Sequence, residues 1–401
     1  MEIEGGGSGS AETLGAGSGK KRPYSPRCGE DSPKSSAMDA DDEWFVNDSG
    51  SEEGDDYGNQ GMCSPFIVDN FPRASWDHDE QSDLVFANPE TKLRGPSPTM
   101  IFPPFKSGRH LFDSEYNLND KSEISLTNVE DCLKECCCLP MDLIQFVDVK
   151  IAGYQHSRPG RAKIFGFVAA RDTVKPLRNY IYRRAIDNCE AVPVKRKTGT
   201  ARLSLKSPTR VISMSTRALV EFELHAQSEE EANGDDGPNI EGCTELYNMF
   251  ESKSFIRHKR LYGERCALDI KYLVLMNAVE ARVEVTVLCS AAIDDVVNMK
   301  LLAKTSGFSE VIRLFRGVAP KLGFMTSFVI AVERHSDFDL YIKGYPRDHP
   351  NVDQKLVPCS RWQCSFASGY HGTDEEVAEL GDFGAVSIKV TWRSHRKNSD
   401  E

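Results

Sequence analysis

Arginines and carboxylates crowd the ends of one predicted hairpin: Arg171, Asp172, Arg178, Arg183, Arg184 and Asp187. A guanidinium holds a carboxylate or a phosphate through parallel hydrogen bonds, so such a cluster is either an ion-paired network or a receiver for an anion. Two of the six charges are acidic and can pair in place, which favours a network pinning the intervening loop. A second basic cluster, Arg257-His258-Lys259-Arg260, lies in a connector from Lys253 to Arg265. It is the only stretch of the domain that reads as a patch for an anionic partner. Phe255 and Tyr262 lie beside it without a stacking motif, so a solvated face is the simpler reading. The candidate binding residues are therefore Arg171, Arg178, Arg183, Arg184, Arg257, His258, Lys259 and Arg260.

Catalytic chemistry finds no constellation. Nine histidines are scattered, none paired at i, i+4 in a helical pattern. No Gly-x-Ser-x-Gly, Walker loop or Gly-x-Gly-x-x-Gly after a strand occurs. Whether a Ser, a His and an Asp meet in space is a question for three dimensions. The acidic loop Ser228 to Glu241 offers Glu229–Glu231, Asp235 and Asp236, but not the spacing or the bidentate Glu of a calcium loop. Cys132, Cys136, Cys137 and Cys138 lack the Cys-x2-Cys pairs of zinc sites and read as a thiol cluster. No metal and no cofactor is expected. Glu310-x-x-Arg313 resembles the active-site Glu/Arg pair of ribosome-inactivating RNA N-glycosidases, where a helix puts i and i+3 on one face. Here the neighbours alternate like a strand, which sends them to opposite faces.

The formal charge of −12 is unevenly spread. Residues 1–120 hold 23 acidic and 10 basic residues, net −13; residues 121–401 net +1. A near-neutral domain gives no electrostatic case for nucleic acid. Neither a membrane span nor a signal-peptide pattern is present, so the expected compartment is cytoplasm or nucleus. Twelve cysteines without an export signal read as reduced thiols.

Those charges must be positioned by strands. Residues 1–138 read as a disordered leader: Gly/Ser-rich, then Lys20-Lys21-Arg22-Pro23, then an acidic run from Asp39 to Asp56. Trp44-Phe45-Val46 interrupts that run and reads as unstructured or as a docking motif, in cis or to a partner. Residues 139–395 read as the folded domain and 396–401 as a disordered tail. Lys163 to Arg171 is a strand apolar on both faces, with Gly166 marking a bulge or a close backbone approach. Asn179 to Tyr182 resumes strand character after a loop holding Pro176. Leu143 to Ile151 alternates, with Ile144 and Phe146 on one face and Leu143, Val147, Val149 and Ile151 on the other. Ala201 to Lys206 follows. Arg217 to His225 alternates as a half-buried strand with Leu219, Glu221, Glu223 and His225 on a wet face. Thr244 to Phe250 is a short helix or a poor strand. Leu268 to Met276 and Val279 to Val287 are two strands meeting at Asn277. Hairpins are predicted at Thr305-Ser306-Gly307 and at His335-Ser336-Asp337, the second joining Thr326–Glu333 to Phe338–Lys343. Short strands lie near Trp362 to Phe366 and from Gly384 to Arg393. The fold class is all-β: a sandwich of two mostly antiparallel sheets, with a barrel as the alternative.

The run Phe165-Gly166-Phe167-Val168-Ala169-Ala170-Arg171-Asp172, then Arg178-Asn179-Tyr180 and Asp187, resembles a family catalogued as domain of unknown function 6598, known mainly from grasses. Asn277 to Val285, Ser309 to Phe315 and Val386 to Trp392 are similar to later blocks of the family. Together they cover about residues 140–395. The resemblance implies a β-rich domain and a plant source, and transfers no functional residue. The expected function is a non-enzymatic binding or interaction module, stress- or defence-related by lineage, with an unknown protein or an anionic ligand as partner. No membrane partner is expected. The alternatives are an RNA N-glycosidase-like enzyme and a carbohydrate-binding sandwich that uses aromatics such as Tyr180 or Trp362.

Overall fold

Period-two alternation across the chain becomes pleated strand in a computed structural model. The structure describes residues 85–86, 116, 120–125, 139–152, 161–195, 200–215, 217–228, 240–248, 251–262, 266–289, 297–320, 322–346, 360–381 and 384–394. Most readings made for residues 1–115, and those for Cys132–Cys138 and the loop 229–239, lie outside the described residues. In chain order the strands are β1 (Val85–Phe86), β2 (Met141–Ala152), β3 (Arg161–Asp172), β4 (Asn179–Arg184), β5 (Glu190–Pro193), β6 (Ala201–Arg202), β7 (Ile212–Ser213), β8 (Arg217–Ser228) and β9 (Ile240–Tyr247). There follow β10 (Phe255–Tyr262), β11 (Ala267–Cys289), β12 (Val297–Thr305), β13 (Ile312–Val318), β14 (Gly323–Glu333), β15 (Asp337–Pro346), β16 (Ser360–Ala367), β17 (Gly372–Glu379) and β18 (Ala385–Arg393).

The all-β, antiparallel architecture is as expected. Among the described residues no sheet closes, so the barrel alternative falls. The strands distribute over three sheets: β1-β9-β8-β3-β4 with β5 also on β3; a second organised by β11; and β13-β12-β15-β16. β11 is 23 residues long. Its first half pairs with β2 and β10, its second half with β14 and β18. Asn277, at φ 49°, marks the change of partners without interrupting the strand, and Asn tolerates that left-handed conformation. The two strands read from the sequence are thus one.

Two cores result. One packs the first sheet against the first half of β11 and β2, through residues such as Ile164, Phe222, Ile270 and Val274. The other packs the second half of β11, β14 and β18 against the third sheet, through Val283, Ile330, Leu301, Phe338 and Ile388. Among the described residues β14 is paired on one side only. Its backbone N–H groups at Val329, Ala331 and Glu333 donate instead to the side-chain oxygens of Ser207, Gln145 and Ser306, at 2.7, 2.9 and 2.7 Å. Alternate donors are thereby satisfied without another strand, which blunts the edge.

Several local readings are corrected. β2 carries an irregularity at Val147, where Lys271 opposes Asp148 but Tyr272 opposes Phe146. One extra residue reverses the faces, so Val149 and Ile151 join Ile144 and Phe146 in one core while Leu143 and Val147 enter the other. Beyond Arg202 the stretch Ala201 to Lys206 is not strand, although Leu203 stays buried. The uncertain segment at Thr244 lies in strand β9, and the basic connector is strand β10 along β11. β14 and β15 do not form a hairpin: the chain crosses at His335, φ 62°, from the second sheet to the third. The outer face of β8 is wet only along its second half, since Leu219 and Glu221 are buried whereas Glu223 is exposed and His225 partly so. Tyr116 and Ile124, assigned by composition to the leader, are buried as well. There Ile124 N donates to Arg178 O and Arg178 N to Ser122 O, each at 3.0 Å.

Tyr182 is fully buried, and its hydroxyl donates to Ile164 O at 3.2 Å. Burial first, then the Glu190 carboxylate, push its phenol far above the ordinary 10.0, against the opposing pull of Arg184. The folded state therefore holds this proton more tightly than the unfolded chain does. That stability is complete below about pH 10 and is lost as pH rises above it. Tyr182→Phe is expected to cost about 1 kcal/mol at neutral pH and to flatten the alkaline fall of the urea midpoint. An identical alkaline fall in both proteins would exclude Tyr182 as its cause.

Candidate functional site

The hairpin cluster folds into an internal clamp. β3 delivers Arg171, which is fully buried. Its Nε donates to Glu221 Oε2 at 2.9 Å, and its Nη1 to Tyr116 O at 3.2 Å and Pro176 O at 3.0 Å. Arg178 Nε donates to the same Glu221 oxygen at 3.0 Å, with its guanidinium 4.5 Å from the Phe167 ring centroid. Asp172 accepts two hydrogen bonds from Arg210, at 2.8 and 2.6 Å, and one from Ser213 N at 2.7 Å. It also accepts from Val174 N and Lys175 N. Arg183 is half-exposed, pairs with Glu123 and stacks on Tyr180. Arg184 is partly buried, and Asp187 is exposed in the 3-10 turn Ile186–Asn188. The structural reading of this cluster explains every strong contact: Arg171, Arg178 and Asp172 hold the loop between β3 and β4 and the strap near Tyr116.

The β10 residues diverge. Arg257 is exposed, 3.3 Å from Glu251 and stacked on Phe255. Arg260 binds Asp269 through Nε and Nη2, at 2.5 and 2.6 Å. Lys259 is buried. His258 lies opposite Lys271 in the ladder. Burial first, then the positive charges of Lys271 and Lys150, lower its pKa. Neighbouring cations are already answered by carboxylates: Lys150 and Arg202 by Asp148, Lys271 by Glu310. Glu310 precedes β13 and Arg313 lies within it, so no helix brings the pair together. Tyr180 and Trp362 sit inside β4 and β16 rather than in loops.

The concentration of charge that the sequence does not disclose is the outer face of the third sheet. Arg316 pairs with Lys300, Lys300 with Lys343, and Lys343 with Arg361. Directly opposed residues share a face, so four cations form one row across all four strands. With strands about 4.8 Å apart the row spans roughly 14 Å. The next row on this face is Arg313, Leu302, Tyr341 and Gln363, and the one after it Lys304, Asp339 and Ser365. Among the described residues, six cations thus face one carboxylate, with Asp337 a further row away at the turn. Arg313, Arg316 and Arg361 are exposed; Lys300, Lys304 and Lys343 are partly buried. The opposite positions, Leu301, Ile342 and Cys364, are core. The signal available in the sequence is the polar alternation at Lys300 and Lys304 and at Tyr341 and Lys343. It stays hidden because the local turn signal matches β15 to β14 instead of β12.

A cleft between the two cores, lined by Gln145, Ser207, Val211, Arg313, Phe328 and Ile330 among others, encloses about 30 Å³. That is room for a water or two, not for a substrate. Among the described residues no group of three or more His, Cys, Asp or Glu could hold a metal ion, and no helix is long and apolar enough to cross a membrane.

A family model described as a domain of unknown function (DUF6598) matches residues 143–390. The chain belongs to this family. The DUF6598 match starts in β2 and ends in β18, so it takes in both cores, the clamp and the basic face, and leaves the strap at Tyr116 outside. No curated protein matches. Among solved structures the chain is similar to human GIVD cytosolic phospholipase A2, with 9% identity, a TM-score of 0.22, and coverage of 65% of this chain and 33% of that one. It is also similar to the two C2 domains of Extended-Synaptotagmin 2, with 8% identity, a TM-score of 0.20, and coverage of 69% and 98%. The DUF6598 chain thus spans about a third of the phospholipase. At such scores neither likeness assigns a fold or an activity.

Proposed function

We propose that this DUF6598 protein is a non-enzymatic binding module of plant cells, working in cytosol or nucleus, whose outer third-sheet face receives an acidic polypeptide segment. The row Arg316–Lys300–Lys343–Arg361 carries this reading. Long cationic side chains on a rigid sheet reach carboxylates without rearranging the backbone. Tyr341 at the centre and the carboxylate of Asp339 suit a mixed acidic and apolar peptide better than a uniform phosphate backbone. The domain's near-neutral total supports the same choice, because long-range steering of nucleic acid needs a net positive field. The plant source is part of this proposal, and what supports it is the family resemblance alone.

Fluorescein-labelled poly-L-glutamate tests the face. Charge reversal at Lys300, Lys343 and Arg361 together is expected to weaken binding at least tenfold, and added salt to weaken it in the native protein. Arg257→Glu, on the exposed edge of β10, is expected to change it little. Undiminished binding by the triple variant would reject the face. Tighter binding of a single-stranded oligonucleotide or of anionic vesicles than of poly-L-glutamate would reject the partner class.

A further inference from the structure

We infer that the corner where the chain passes from the second sheet to the third binds a carboxylate monoanion, held by Arg334 against the ring of Tyr370. Arg334 is the first residue after β14, and its backbone N donates to Asn277 O at 3.1 Å. Its guanidinium carbon lies 4.2 Å from the centroid of the Tyr370 ring. Stacking engages the face of the guanidinium and leaves its N–H edge unspent. Among the described residues no carboxylate pairs with Arg334 and no group accepts from its Nε, which is buried. The Nδ1 of the adjoining His371, whose ring centroid is 6.4 Å from that of Tyr370, is also buried without a hydrogen-bond partner. Buried polar nitrogens without a partner are uncommon and costly, and two at one corner mark a place for a polar ligand.

Hydrogen bonds fix this corner in advance. Glu333 O accepts from Ser336 Oγ at 2.6 Å and from Ser368 Oγ at 2.9 Å. Ser368 N donates to Ser336 O at 2.9 Å. These bonds pin the start of the loop between β16 and β17 to the turn between β14 and β15. Ser394 Oγ, just past the end of β18, donates to Tyr370 O at 3.3 Å and holds the other half of that loop. Arg334 and Tyr370 thus meet from two segments that are tied together without a ligand, which lowers the ordering cost of binding one. Both side chains are partly buried, so neither is fully solvated nor closed off.

Charge sets the ligand class. The carboxylates of Glu333 and Asp374, neighbours along the chain, are committed elsewhere: Glu333 Oε2 accepts from Ser254 Oγ at 2.7 Å, and Asp374 Oδ2 from Trp392 Nε1 at 2.6 Å. A guanidinium matches a single carboxylate through two parallel hydrogen bonds. A phosphate monoester brings about two negative charges at neutral pH, and Arg334 answers one. The source of the carboxylate is a free organic acid or the C-terminus of a polypeptide. No residue of the third-sheet row takes part. From Asp337, three residues past Arg334, β15 runs six residues to Lys343, roughly 20 Å of strand.

Nuclear magnetic resonance of the full chain tests the site through the Nε–H signal of Arg334, identified by its loss in Arg334→Lys. Sodium acetate is expected to shift that signal saturably, with a Kd on the order of 10 mM for so small a ligand, and sodium chloride at equal ionic strength to leave it in place. Tyr370→Leu keeps Arg334 and removes the stacking ring, and is expected to weaken acetate binding about tenfold. Charge reversal at Lys300, Lys343 and Arg361 is expected to leave it unchanged, so this site and the third-sheet face fail separately. An alanine peptide that binds more tightly than acetate, and loses binding when amidated, assigns the carboxylate to a chain terminus; binding of acetate alone assigns it to a free acid. A shift that rises linearly with acetate, an equal shift with chloride, or a tighter response to inorganic phosphate would overturn the inference. Should Arg334→Lys not fold, phenylglyoxal modification of the native chain, mapped by mass spectrometry, decides it. Protection of Arg334 by acetate supports the site, and equal modification with and without acetate overturns it.

Discussion

Gly166→Ala is expected to destabilise the domain by about 3–5 kcal/mol or to prevent folding outright. Gly166 sits in β3 at φ +111°, and a Cβ there would lie 2.0 Å from the backbone oxygen of Glu223 and 3.1 Å from Leu224 Cα. Both atoms belong to β8, the neighbour with which β3 pairs along eleven positions, from Ala162 to Asp172. Neither can swing aside as a flexible side chain could. The position is also where β3 changes partner on its other edge, from β5 up to Ile164 to β4 from Gly166 onward. Opening the β3–β8 ladder to admit a methyl group would disturb the core beneath it. Gly307→Ala is the control. Its φ is +71°, yet nothing lies within 4 Å of the added carbon, so only backbone strain of about 1 kcal/mol is expected. Urea denaturation of the three proteins gives the comparison. A Gly166→Ala loss no larger than that of Gly307→Ala would show that β8 yields at no cost.

The second large effect belongs to Glu221. Its Oε2 accepts from both Arg171 and Arg178. Arg171 has no solvent exposure. Glu221→Ala strands a buried guanidinium, and removing one partner of such a pair typically costs about 3–5 kcal/mol. Glu221→Gln keeps an acceptor and removes the charge, so its loss is expected to be smaller. Replacing Arg171 and Glu221 together by methionine should cost less than the sum of the single losses, because the desolvation penalty leaves with the charges. Arg171 also donates to Tyr116 O and Pro176 O. Hydrogen exchange at residues 116–125 is therefore expected to rise in the Arg171 variants. Additive losses in the double-mutant cycle, with unchanged exchange, would mean that the clamp carries neither load.

Much of this site is legible along the chain. Gly166 reads as a close approach because a glycine inside an apolar strand has few other uses. The charges at the ends of β3 and β4 read as a pinning network because acids stand among the arginines there, and Asp172 and Arg171 do hold that loop. Their partners are not legible. Glu221 looks like a solvated strand position, Arg210 like a loop residue and Tyr116 like part of the leader. Each contact joins residues 38 to 55 apart in sequence, and local periodicity carries no information at that range. The β10 cluster reads as one patch because its four residues are consecutive. In a strand consecutive residues face opposite ways, so Arg257 and Lys259 share one face and His258 and Arg260 the other, and on the first of these Lys259 is buried while Arg257 is exposed.

The sequence by itself determined that the domain is built of strands, which faces of β8, β18 and the second half of β11 are apolar, and that the charge excess lies in the leader. These are one-dimensional properties: alternation is written along a strand, and charge is a count. Only the tertiary structure decided that two predicted strands are one β11 serving two cores, that β15 pairs with β12 and not β14, and that Arg316, Lys300, Lys343 and Arg361 stand in one row. The physical reason is register. A strand's pattern says which side is buried, but the residue that stands across from it is set by hydrogen bonds to another strand, and a single extra residue such as Val147 reverses the answer.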